Sequence, residues 1–197
     1  MADLIDAAND ELPLDRRLKL SIKWNSIQVP VTFPGEAYAK FQIGFFLGTA
    51  PLFSEAVYGE SEARAGGTLL PGYFRGWDED CNFLTSLRTF LETGEAVDFE
   101  DVCEPVFRLI IADDAFDLGR NAATTDDYFD VLAIMYNGGE WHDRTVGETG
   151  PAIKLAATRK TLRRFLIDLL TEADDPAVCE PQARQILRER FSGNCAI

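Results

Sequence analysis

Histidine is nearly missing from this chain, with His142 the only one in 197 residues. The commonest general base and a favoured zinc ligand are thereby removed from every other position. The four cysteines, Cys81, Cys103, Cys179 and Cys195, contain no Cys-x-x-Cys pair. They read as buried, reduced and chemically quiet, so neither a disulfide framework nor a structural zinc site is expected. No apolar run approaches a membrane span; the longest, around Phe41 to Ala50, is interrupted by Gln42. The opening Met-Ala-Asp-Leu-Ile-Asp is acidic where a secretory signal starts positive, and a cytoplasmic location is expected. A phosphate-binding Gly-rich loop, a Gly-x-Ser-x-Gly elbow and a His-Glu-x-x-His helix are all lacking. These gaps point away from an enzyme and from any metal or cofactor.

Basic charge is the scarcer sign. Lys and Arg number 19 against 33 Asp and Glu, for a formal net charge of −14. Phosphate binding needs a concentrated basic surface, so nucleic acid is not the expected ligand. A basic protein partner, attracted over long range, suits the balance better. The distribution says more than the total. Between Glu92 and Asp130 stand twelve acids: Glu92, Glu95, Asp98, Glu100, Asp101, Glu104, Asp113, Asp114, Asp117, Asp126, Asp127 and Asp130. Only Arg108 and Arg120 oppose them, whereas Thr158 to Arg190 is nearly balanced. An acidic face is expected from this run.

Length and a hydrophobic content of 46% suit one domain over 1–197 with a substantial core. Residues 1–15 read as an arm or a short helix. Leu18, Leu20, Ile22 and Trp24 then alternate with polar residues, and Ile27, Val29, Val31 and Phe33 resume the alternation after Asn25-Ser26. That pattern predicts a β-hairpin. A third strand carries Ala39, Phe41, Ile43, Phe45 and Leu47 after the Pro34-Gly35 turn. The segment 48–80 is rich in Gly and Pro and reads as irregular; it hides a short helix near Leu52 to Tyr58 or is a functional loop displaying aromatics.

Asp80 reads as the N-cap of a helix bearing Phe83, Leu84, Leu87, Phe90 and Leu91, stopped at Gly94. Strands are expected at Val106 to Ile111, Tyr128 to Tyr136 and Ala152 to Ala156, with Asn137-Gly138-Gly139 turning the middle one. Thr158 caps a helix with Leu162, Phe165, Leu166, Leu169 and Leu170 on one stripe, and Pro181 opens a last helix carrying Ala183, Ile186, Leu187 and Phe191. The expected class is α+β, with largely antiparallel sheet in a βββα-βββα order and a C-terminal helix. The two main helices share their apolar spacing when slid by 78 or 79 residues, as an internal duplication would require.

Candidate chemistry is thin. Trp141-His142-Asp143 offers a histidine without any nucleophile placed beside it. Asp113-Asp114-x-x-Asp117 and Asp126-Asp127-x-x-Asp130 could present oxygens to a hard cation, but they lack the EF-hand order and its glycine, and solvated carboxylates are the simpler account. Trp77, between Arg75 and Asp78-Glu79-Asp80, is an aromatic set among charges, as at protein interfaces. Trp77, Asp113, Asp114, Asp117, Asp126, Asp127 and Asp130 are thus the expected partner-binding residues.

From Trp77 onward the chain has an apolar helix ending at Gly94, then Cys103-Glu104-Pro105-Val106-Phe107-Arg108-Leu109 and a hydrophobic strand. Gly139-Glu140-Trp141, Gly150-Pro151-Ala152-Ile153-Lys154-Leu155 and the helix Leu162-x-x-Phe165-x-x-Asp168-Leu169 follow. This order, over roughly the last two thirds of the chain, resembles the small bacterial families typified by the WapI immunity proteins. The resemblance implies a non-enzymatic protein that binds and neutralises a toxin, with no catalytic residues to carry over. A structural or assembly subunit of a phage or secretion particle is the alternative, and a hydrolase built on His142 or the aspartates comes third.

Overall fold

The computed structural model describes residues 1–8, 10–29, 38–52, 70–74, 83–100, 107–112, 128–135 and 152–191. Ala2 and Leu4 are buried while Asp3 and Ile5 are partly exposed, and this alternation forms strand β1 (Ala2–Ile5) where an arm or short helix is expected. A turn of 3-10 helix at Leu14–Arg16 leads into β2 (Leu18–Gln28). β3 (Tyr38–Leu47), β4 (Ala50–Pro51) and β5 (Leu70–Phe74) complete an antiparallel sheet in the order β1-β2-β3, with β4 and β5 sharing the far edge of β3. Its apolar face is built in register rows, Leu4–Leu20–Phe45, Ala2–Ile22–Ile43 and Trp24–Phe41, all buried.

The hairpin expected at Asn25-Ser26 is absent, because β2 runs straight through those residues. Trp24 faces Phe41 and Ser26 faces Lys40, so Asn25 is the extra residue of a β-bulge. A bulge shifts the phase of alternation by one, which lets both Trp24 and Ile27 turn inward. A turn between two strands produces the same phase shift in sequence. The segment 48–80 is likewise less irregular than expected, since β4 and β5 lie within it; the short helix expected near Leu52 to Tyr58 lies outside the described residues from 53 onward.

The second sheet is a four-stranded antiparallel meander of β6 (Val97–Glu100), β7 (Phe107–Ala112), β8 (Tyr128–Met135) and β9 (Ala152–Thr158). β6 is not anticipated by the sequence reading, where its acids draw attention away from the alternating Val97 and Phe99. Among the described residues three α-helices accompany the sheets: α1 (Phe83–Thr93), α2 (Arg159–Ala173) and α3 (Pro181–Phe191). Gly94 ends α1 at φ 77°, a left-handed conformation suited to glycine, and donates its N–H to Phe90 O at 2.8 Å. Thr158 caps α2 through a reciprocal box with Thr161, and Pro181 opens α3. The class is α+β with antiparallel sheets and a C-terminal helix. The five-stranded sheet of β1 to β5 precedes α1 in the chain, and the four-stranded sheet of β6 to β9 precedes α2.

One hydrophobic cluster takes residues from both sheets and from α1, α2 and α3. The α2 stripe, Leu162, Phe165, Leu166, Leu169 and Ala173, is buried against β1, β2, β9 and α1. Trp24 reaches from β2 to donate its indole N–H to Leu169 O of α2 at 2.9 Å, so its polar atom is satisfied inside the core. Fully burying one such large side chain stabilises by roughly 1.5–3 kcal/mol.

Where the sheets meet, a side chain substitutes for a strand. Beyond β1, Asp6 N–H bonds back to Leu18 O of β2 at 2.9 Å, while Ala7 N–H turns to Ala156 O of β9 at 2.8 Å. Ala156 N–H in turn finds the Asp6 carboxylate at 2.8 Å. Asp6 is 5% exposed, so these groups have little water to fall back on. Past the bulge, Val178–Glu180 takes over the same edge of β2: Ile27 N–H donates to Val178 O at 2.8 Å, and Glu180 N–H donates to Ile27 O at 3.0 Å. A carboxylate oxygen of Glu180 also accepts from Val29 N–H.

Two expectations follow. Asp6→Ala leaves the Ala156 N–H buried without its acceptor and should cost about 1–3 kcal/mol, read as a lower urea midpoint at constant slope; Asp6→Asn keeps one acceptor oxygen and should recover part of that loss. At Gly48, φ is +61° and an added Cβ would meet Asp15 O at 2.3 Å. Gly48→Ala should therefore destabilise by about 1–3 kcal/mol, whereas Thr49→Ala on the exposed side of the same turn should be near neutral.

Candidate functional site

Strand direction decides which chain ends meet. β6 begins at Val97, which pairs with Ile111; β7 ends at Ala112, which pairs with Asp130; and Tyr128, at the start of β8, pairs with Thr158. One end of the second sheet therefore gathers the exit of α1, the two anchors of the 113–127 connection and the start of α2. Glu100 pairs with Arg108 toward the opposite end. The acid-rich run is thus divided by register: the chain around 92–97 and the anchors of 113–127 share one end, and Glu100 and Phe107, the anchors of 101–106, lie toward the other.

Of the expected partner-binding residues, Trp77, Asp113, Asp114, Asp117, Asp126 and Asp127 lie outside the described residues. Asp130 is described as a backbone position of β8, paired with Ala112 and Ala156. Glu92 and Glu95 are exposed at the gathered end, and Glu92 lies 4.0 Å from Arg88 one helical turn earlier. An exposed pair of this kind contributes at most a few tenths of a kcal/mol.

Sequence reading misses the charge pattern of α2. The span Thr158 to Arg190 is nearly balanced in total, yet its charges are segregated. Arg159, Lys160, Arg163 and Arg164 are all exposed on the first two turns, and the first turn holds no acid. Asp168, Glu172, Asp174 and Asp175 follow at the far end. Cations at a helix N-terminus oppose the macrodipole, at about 0.3–1 kcal/mol each in exposed positions. Arg159 is engaged with Leu91 O of α1 at 2.9 Å, and Arg164 with Asp168 at 3.0 Å. Lys160 and Arg163 have no ion-pair partner among the described residues. The spacing i, i+1, i+4, i+5 is the signal that could have revealed this stripe.

Elsewhere polar side chains hold the fold together. Lys19 bonds Asp3 at 3.2 Å and lies 5.0 Å over the Phe46 ring, while Ser21 donates to the other Asp3 oxygen at 2.6 Å. Arg188 of α3 makes a two-point contact with Asp174 at the end of α2, at 2.9 and 3.1 Å. That hydrogen bond holds the Asp174 carboxyl below its ordinary value, despite the small opposing effect of burial. Among the described residues, no group of three or more His, Cys, Asp or Glu side chains could hold a metal ion. None of the described helices is long and apolar enough to cross a membrane. His142, Cys81, Cys103 and Cys195 fall outside the described residues.

Cys179 is 1% exposed, and removal from water pushes its thiol up to about 11, only partly offset by Arg184. A thiol so placed is neutral at physiological pH and makes a poor nucleophile. Compared with known proteins, the chain matches no family model, no curated protein and no solved structure.

The Cys179 shift has a definite sign in stability. The unfolded thiol ionises near its ordinary value of 9.0 while the folded one stays neutral to about 11. Stability contributed by the neutral thiol is complete below the lower value and is lost as pH rises through the window between them. Urea unfolding at several alkaline pH values should show a steeper decline for the natural protein than for Cys179→Ala. Parallel curves would contradict the burial of this thiol.

Proposed function

We propose that the protein is a non-enzymatic, cytoplasmic protein-binding protein, an inhibitor or immunity protein that blocks a basic protein partner through an acidic surface. The observation that carries this reading is the run of twelve acids from Glu92 to Asp130, opposed by two arginines. Register adds support. The 113–127 connection, with Asp113, Asp114, Asp117, Asp126 and Asp127, leaves and rejoins the sheet at the end where Glu92 and Glu95 are exposed, and Asp130 is the third residue of the return strand. Carboxylates collected there would steer a basic partner into place and set the association rate, while an aromatic such as Trp77 would lengthen the lifetime of the complex.

The resemblance to WapI-type immunity families suggests a toxin as the partner, with inhibition by occlusion. Such a role needs no catalytic group, which accords with the shortage of histidine and the neutral Cys179.

Replacing Asp113, Asp114, Asp117, Asp126, Asp127 and Asp130 together by Asn should slow association with an immobilised Lys/Arg-rich peptide by about tenfold at low salt. Raising the ionic strength to roughly 0.5 M should bring the natural protein down toward the same rate, as screening shortens the reach of the field. Circular dichroism of the variant should be unchanged. Association indifferent to both salt and substitution would overturn the acidic-surface reading.

A further inference from the structure

We infer that the exposed first two turns of α2 form a second docking surface, of opposite sign to the first, for an acidic polypeptide segment. Arg159, Lys160, Arg163 and Arg164 lie on one side of the helix, and all four are exposed. They hold four of the chain's 19 basic residues within six positions of a protein whose formal charge is −14. The fold does not require this placement: the opposite stripe of α2 supplies the core contacts, and cations at this terminus work against the helix dipole. Lys160 and Arg163 spend their charge on no neighbour among the described residues.

Size and surroundings select the occupant. From residue 159 to 164 the helix rises roughly 8 Å, enough to face two or three carboxylates along an extended peptide but short for a polyanion. A nucleic acid would continue past the patch into the field of the remaining acids, since it carries a phosphate charge about every 1.7 Å of duplex axis. An anionic bilayer wants an apolar face beside the basic one, and the apolar stripe of α2 is already buried in the core. A short acidic segment meets both limits. Arg164, paired with Asp168, and Arg159, held on Leu91 O, fix the borders of the patch, and Lys160 and Arg163 make its centre.

This surface adjoins the gathered end of the second sheet, because α2 starts where β9 stops. A partner spanning both would carry a basic region next to an acidic segment. The basic docking surface on α2 stands independently of the acidic one, and the same measurements separate them. Backbone amide NMR of the full chain should show shifts confined to the start of α2 on titration with a short oligoglutamate peptide. The double variant Lys160→Glu and Arg163→Glu should weaken that binding by about tenfold, and Lys23→Glu, an exposed lysine of β2, should leave it unchanged. Absence of shifts in α2, or equal loss in the Lys23 variant, overturns the inference. Saturation of the same amides by duplex DNA or by phosphatidylserine vesicles at lower concentration overturns the choice of a polypeptide. An oligolysine titration run in parallel tests the acidic surface alone, so either surface can fail without the other.

Discussion

An antiparallel sheet with one apolar face cannot remain exposed on that face in water, and two such sheets here share a cover. The stripe of α2 from Leu162 to Ala173 lies against β1 and β2 of one sheet and β9 of the other. Removing that stripe would expose Leu4, Leu20, Ile22, Trp24 and Leu155 together, each with no more than 1% of its surface now accessible. Two polar contacts fix the register of this arrangement. The Trp24 indole N–H on Leu169 O sets where α2 sits along β2, and the Asp6 carboxylate on Ala156 N–H sets where β9 sits beside β1. Both are buried, so a slipped arrangement would leave a donor without a partner and would be disfavoured by a few kcal/mol.

The same constraint arranges the charges. Because β9 must run into α2 at the seam, the cationic start of the helix is held at the end of the sheet to which β7 and β8 bring the anchors of the acid-rich connection. Exposed Glu92 and Glu95, at the exit of α1, share that end of the sheet with these cations. Charge segregation of this kind does little for stability, since exposed pairs contribute weakly and helix-terminal cations oppose the dipole. It shapes the field around the molecule instead.

Much of the fold was legible in the chain. Strict alternation at Leu18 to Trp24 and Ala39 to Leu47 marked half-buried strands, and the 3.6-residue spacing of Phe83 to Leu91 and Leu162 to Leu170 marked the helices that cover them. Gly94, Thr158 and Pro181 punctuated those helices as their backbone chemistry requires. The misreadings share a cause. The bulge at Asn25, the short strand β1 and the acidic strand β6 are local patterns with two solutions, and partners distant in sequence chose between them. Trp24 and Ile27 both need burial, so β2 bulges instead of turning. Ala2 and Leu4 find Ile22 and Leu20 across a ladder that no window of residues 1–15 contains.

Composition by itself determined an acidic chain with one histidine, because these follow from counting side chains. Period by itself determined α+β structure, because a strand repeats every two residues and a helix every 3.6. Which chain ends lie together was decided only in three dimensions. The joining of two sheets through Asp6, the crossing of α2 over their seam and the gathering of one sheet end all depend on contacts between residues far apart in the chain. Apolar burial and hydrogen-bond satisfaction reward such contacts only once the whole core closes, so no local pattern can encode them alone.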